Sequence, residues 1–243
     1  LILLILVSVQ YASFLSPDIV RWVAVVFQLG IVAILAPAIS SGSITDEVTS
    51  RTFLMLRMTP LSALTVVLGK LKAAFLYVSI FLVSSLPVLL ALIFLEPSTT
   101  ADQAKPQGTL IWLATVWDTG GWRVTACLAI MLVTTITFIA AGFCASAWSK
   151  TTSTATAISY GFAGIITIVT LAAMIPGAFS QPVTEAMLTL NPMVAALRVT
   201  SDELFGNLSP QVWVHNLVLM GSLAVGLIVL SAARVYYIFT RHL

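Results

Sequence analysis

The chain has 243 residues, of which 59% are hydrophobic and 8% charged, and its formal net charge is +2. Soluble globular domains carry about 45–50% apolar and about 25% charged residues, so this composition excludes a soluble enzyme and a disordered tail, and so small a positive charge excludes a nucleic-acid surface. Lipid is the solvent for most of the chain, which implies an all-α, polytopic membrane protein.

A helix needs about 20 apolar residues to cross about 30 Å of hydrocarbon, and residues 1–243 divide on that length as one transmembrane domain. Residues 1–15 open on an apolar run with neither a basic flank nor a small-residue cleavage site, so they are expected to be the end of a truncated first transmembrane helix rather than a signal peptide. The second span is expected over 17–40, where Ser16 can cap it and Pro17 suits the first helical turn. A polar segment follows at 43–59. The third span, 60–95, again opens with a Thr-Pro pair, Thr59-Pro60. Its lipid-embedded part starts after Lys72, because Lys70 and Lys72 prefer headgroups and water. Pro87 should kink it, with Ser84 and Ser85 satisfying the backbone groups so freed. An external insert, 96–120, contains the interfacial stretch 109–117. The fourth span is expected over 121–148 and the fifth over 155–179, ending near Pro176-Gly177. The connection 180–209 alternates polar and apolar residues around Asn191-Pro192 and reads as an external hairpin of one or two short amphipathic helices lying on the membrane. The sixth span, 210–238, is capped by Ser209.

Alternation of six spans puts Arg51, Arg57, Lys70, Lys72, Lys150, Arg234 and Arg241 on one side, against only Asp46 and Glu47. The other side holds Arg21, Lys105, Arg123 and Arg198 against Asp18, Glu96, Asp102, Asp118, Glu185, Asp202 and Glu203. The basic excess makes the first side cytoplasmic. Trp22, Trp112, Trp117, Trp122 and Trp213 form an aromatic belt on the second side, and Trp148 marks the cytoplasmic interface.

Candidate chemistry is sparse. His215 and His242 lie at opposite faces and cannot share a metal; no Cys/His/Asp/Glu group has metal-ligand spacing, and no catalytic residue is assigned. Cys127 and Cys144 are about 25 Å apart along one helix, too far to bond within it. No span holds the carboxylate expected of a proton or sodium relay, which counts against a secondary transporter. Gln28, the main strongly polar side chain deep in a span, makes an interhelical hydrogen bond or lines a translocation path. Ala140, Ala141, Gly142, Ala145 and Ser146 permit close packing at the inner end of the fourth span, as do Gly161 and Gly164 in the fifth. The apolar spans suit an amphiphilic cargo, and equally a closed path lined by small residues.

The segment between the second and third spans is the most specific feature. Ser43 or Thr45 can cap a short helix, and Asp46 and Glu47 favour its positive N-terminal end. Leu54, Met55 and Met58 give it an apolar side, Arg57 lies near its other end, and the turn at Thr59-Pro60 redirects the chain into the third span. Joined firmly to two spans, such a helix would move both when pushed.

This segment resembles the cytoplasmic coupling segment of ABC-2 type transporter permeases. That family shows a Glu, a Gly-Thr-like pair, Leu-Leu, Thr-Pro and then Gly-Lys; the matching positions here are Glu47, Arg51-Thr52, Met55-Leu56, Thr59-Pro60 and Gly69-Lys70. Arg51 stands where Gly is usual and Leu54 where an acid is common, and the 96–120 insert is longer than the family's usual connection. The resemblance implies a permease paired with a second copy or a homologous permease in a bacterial cytoplasmic (inner) membrane, with an ABC ATPase subunit docked beneath each coupling helix. It implies an exporter whose ATP and Mg sit on that ATPase, with no cofactor in this chain. Gly69-Lys70 lacks the upstream glycine of a phosphate-binding loop, so the nucleotide site belongs elsewhere. Asp46, Glu47 and Arg51 would then make polar contacts with the ATPase, Thr52, Leu56, Thr59 and Pro60 would shape the coupling helix and its turn, and Gly69 and Lys70 would set the entry of the third span. The alternative is a non-transporting membrane scaffold or sensor subunit, distinguished by the absence of a stoichiometric ATPase partner.

Overall fold

A computed structural model describes residues 17–49, 63–94, 121–175, 178–200, 205 and 208–241. The expected first span (1–15) and the 96–120 insert lie outside the described residues. Among the described residues the secondary structure is helical: α1 Pro17–Ser40, α2 Thr45–Thr49, α3 Ala63–Phe94, α4 Trp122–Trp148, α5 Thr152–Thr167, a 3-10 segment Val169–Met174, α6 Gln181–Leu190, α7 Pro192–Thr200 and α8 Val212–Arg241. Five of these, α1, α3, α4, α5 with its 3-10 continuation, and α8, are long and apolar enough to cross a membrane. Helices satisfy their own backbone groups, which is the condition for crossing hydrocarbon.

α4 is the hub, packing against α1, α3, α5, α7 and α8. Its burial runs nearly all round, from Ala126 and Cys127 through Ile130, Met131 and Phe138 to Phe143 and Ala147. The peripheral helices bury one stripe each. On α1 the stripe is Val25, Gln28, Leu29, Val32, Ala36 and Ser40; on α3 it is Val67, Ala74, Val78 and Leu82. The spacing of three or four residues is that of a single helix face. Their opposite faces expose Phe27, Ile34, Ile80 and Val83, which lipid tails solvate without penalty.

Two elements depart from the expected outline. The fifth span begins at Thr152, where Thr151 accepts the Thr154 N–H at 3.3 Å. Its α-helix ends at Thr167, tightening into the 3-10 segment before Ile175. The change of winding has a local cause: Thr170 Oγ1 bonds back to the Ile166 carbonyl (2.5 Å), and Asn191 Nδ2 takes the Thr167 carbonyl (3.1 Å). The second departure is the hairpin. α6 exposes Gln181, Val183 and Glu185, but α7 does not lie on a surface: Val194, Ala195, Ala196 and Val199 are buried against α4 and α1. Its small residues let it insert between the ends of the spanning helices.

Asn191 makes the hairpin. Its Oδ1 accepts the Met193 and Val194 N–H groups (2.8 and 3.3 Å), an N-cap with Pro192 in the first turn, while its amide also donates to Thr170 Oγ1 (2.7 Å). Asn216 of α8 donates to the Thr189 and Leu190 carbonyls at the end of α6 (2.8 and 3.2 Å). Asn216, near the start of α8, is a second buried polar side chain of a span, 1% exposed against 8% for Gln28.

Pro37 sits inside α1, where its ring disturbs the turn before it. In that turn the Ile34 carbonyl accepts a hydrogen bond from Tyr160 of α5 at 3.0 Å, so a neighbouring helix supplies a donor where the proline loosens the ladder.

Candidate functional site

The candidate site is the junction beyond α1. α1 is followed by a turn over residues 41–44, held by Ser41 N–H to the Pro37 carbonyl (3.0 Å) and Ser43 N–H to the Ser40 carbonyl (3.3 Å). α2 then begins at Thr45, with Asp46 and Glu47 in its first turn, where acidic side chains meet the positive end of the helix dipole.

The expected cap from Ser43 is not what holds this end. Ser43 Oγ turns back to the Ser40 carbonyl at 2.9 Å. The acceptor comes from α4: Ser146 Oγ receives the N–H groups of Ile44 and Thr45, both at 3.0 Å, and Thr45 Oγ1 donates to the Ser146 carbonyl at 2.9 Å. Initial helix N–H groups lack intrahelical acceptors, and here a serine some hundred residues away in sequence supplies one.

The small residues of α4 make that reach possible. Ala140, Ala141, Gly142, Ala145 and Ser146 are all buried. A Cβ placed on Gly142 would lie 1.8 Å from Ser40 Oγ and 2.8 Å from Ser40 Cβ, so α1 and α4 touch where no side chain fits. Gly161 and Gly164 of α5 behave differently from expectation: nothing lies within 4 Å of a Cβ built on either. They face open space because α5 packs through Ala155, Ser159, Ala163 and Ile166, which occupy its buried face.

α3 joins through Lys70. Its ammonium lies 2.7 Å from Glu47 Oε1 and also donates to the Ser43 carbonyl. With side chains about a quarter exposed, such a pair contributes about 0.2–1 kcal/mol, so its effect is more on geometry than on stability. α5 joins through Thr156 Oγ1, 3.0 Å from Ser41 Oγ. The segment after α1 is thus fastened to α3, α4 and α5. Near the same end, the Arg234 guanidinium of α8 stacks over Trp148 of α4 (5.0 Å) and Tyr237 (5.5 Å), contacts that suit an amphipathic interface.

Of the residues singled out in the sequence, Glu47 and Lys70 are brought into contact. Asp46 lies beside them and is exposed. Gly69 precedes Lys70 with nothing within 4 Å of a built Cβ. Gln28 lies about three helical turns before Ser40, buried on the core face of α1. Arg51, Thr52, Leu56, Thr59 and Pro60 lie outside the described residues. Two features of the site were not anticipated: Ser146 as a cap, and Pro37 at the start of the last turn of α1. The proline is readable in the sequence as a break in an apolar run, whereas the serine's partners are not.

No curated protein matches the chain. The model of the ABC-2 family of transporter proteins matches residues 3–242, nearly its whole length. Five apolar spanning helices, four of them packed around a central α4, with a short helix tied to their ends, form a multi-pass membrane protein, and the chain belongs to the ABC-2 transporter family as the membrane permease subunit of an ABC transporter.

Proposed function

We propose that the chain is the permease of an exporter in a bacterial cytoplasmic membrane, driven by ATP and Mg held on a separate ABC ATPase subunit, and that it works paired with a second copy or a homologous permease. The segment 43–59 receives the motion of the ATPase. Asp46, Glu47 and Arg51 supply its polar contacts; Thr52, Leu56, Thr59 and Pro60 shape it; Gly69 and Lys70 set the entry of α3. Gln28, buried on the core face of α1, bonds a neighbouring helix or lines the substrate path.

The observation that supports this reading is the fastening of α2. α2 is a short helix on the path from α1 to α3. It is bonded to α3 by Lys70 and to α4 by Ser146, while Asp46 and Thr49 stay exposed. A body gripped by the bundle on one side and open on the other is built to pass on a push.

The chain, co-expressed with its genomic neighbours, should co-purify in a stoichiometric complex with an ABC ATPase. Glu47→Arg with Arg51→Glu should reduce complex formation and ATP turnover at least tenfold; normal assembly and turnover in that variant would remove the coupling assignment. An exchange of charges within the pair, Glu47→Lys with Lys70→Glu, separates two roles for Glu47. If it acts only by holding Lys70, the exchange restores function; if it also meets the ATPase, the single and double variants fail alike.

A further inference from the structure

We propose that Ser146 of α4 is a positioning residue for energy coupling: by capping α2 from a different helix it makes the bundle's central helix the receiver of the ATPase stroke. The inference rests on the reading of 43–59 as the coupling segment.

Three observations carry it. First, the bond set is reciprocal: Ser146 Oγ accepts from Ile44 and Thr45, and Thr45 Oγ1 donates to the Ser146 carbonyl. The hydroxyl that could have capped α2 from within its own segment, that of Ser43, is turned to the Ser40 carbonyl instead. Second, the contact is dry. Ile44, Thr45 and Ser146 are at most 4% exposed, so water cannot readily replace the cap when α2 and α4 part, and the two are obliged to move together. Third, the contact is clamped one turn away, where Gly142 lies against Ser40 without room for a methyl group. A displacement of α2 is therefore delivered to α4 and not dissipated between the helices. Because α4 touches α1, α3, α5, α7 and α8, a movement of α4 reaches every spanning helix described.

The test uses the full chain in complex with its co-purifying ATPase in lipid nanodiscs. An environment-sensitive fluorophore is placed by Trp122→Cys at the far end of α4, with Cys127→Ala and Cys144→Ala removing the native thiols. In the parent complex, trapping nucleotide with ATP and vanadate should change the emission. In Ser146→Ala the change per trapped nucleotide should fall at least fivefold, and amide exchange of the peptide covering residues 41–49 should accelerate about tenfold. Ser146→Thr, which keeps the acceptor oxygen, should restore both readouts, as a merely space-filling role would not require. If Ser146→Ala fails to accumulate in membranes, Ser146→Val, which matches the threonine variant in shape but lacks its oxygen, carries the same expectation. An undiminished emission change in Ser146→Ala, a threonine variant that fails as badly as alanine, or a parent complex that traps nucleotide without any emission change would overturn the role of Ser146. A parent chain that captures no ATPase would instead overturn the coupling reading itself.

Discussion

The two ends of the bundle solve the same problem differently. At the hairpin end, α7 is capped by the residue that precedes it, Asn191, while Asn216 of α8 takes the last carbonyls of α6. At the α2 end, the short helix is capped by a serine from α4 and pinned by a lysine from α3. The first arrangement seals α7 into the bundle. The second ties a half-exposed helix to two others and leaves one flank open. The contrast teaches that a cap supplied locally stabilises an element, whereas a cap supplied from a distant helix also makes two elements share their movements.

Substitutions sharpen this contrast, beginning with the largest expected effect. Asn191→Ala removes an N-cap and the bonds to the Thr167 carbonyl and the Thr170 hydroxyl. With buried groups left unsatisfied it should cost about 3 kcal/mol, measured as a lowered unfolding midpoint in detergent, without loss of ATPase capture. Gly142→Ala forces α1 from α4 at Ser40 and should cost about 1–3 kcal/mol. Ser40→Gly added to it should recover most of that loss, because the clashing hydroxyl and Cβ are both removed. Tyr160→Phe deletes only the bond to the Ile34 carbonyl and should cost about 0.6 kcal/mol in the same assay. Gly161→Ala meets no atom and should leave stability unchanged or raise it by up to about 1 kcal/mol through helix propensity. If Gly161→Ala proved as damaging as Gly142→Ala, the difference drawn between the packing of α4 and α5 would fail.

Much of the architecture could be read in the residues before any coordinates. The apolar runs, the Ser/Thr-Pro starts and the position of charged residues mark membrane helices because hydrocarbon tolerates few other arrangements. Asn191-Pro192 announces a helix start by itself, since both residues act on their own backbone. The Glu47–Lys70 contact was legible only as two motif positions, with no sign that they meet. Ser146 could be read as a small residue that permits close approach, but its partners, Ile44 and Thr45, are set by how α1 and α4 cross. Hydropathy outlines the fifth span as one helix because it does not register a change from α to 3-10 winding, which here accompanies Asn191 reaching back to Thr167. Asn216 gives no signal in the sixth span for a plainer reason: an amide near a span end does little to interrupt an apolar run.

The tie at Lys70 has a consequence for how the protein sits in its bilayer. An ammonium held by a carboxylate and a carbonyl two turns into a long apolar helix acts as a float, fixing that turn at the level where water begins. From there to Phe94 the helix climbs about 36 Å, somewhat more than the hydrocarbon is thick. α3 is therefore anchored at its base and must absorb the surplus by leaning or by bending at Pro87. Its vertical position is set by chemistry at one end, so a thinner or thicker membrane would change its slope while the base stays put.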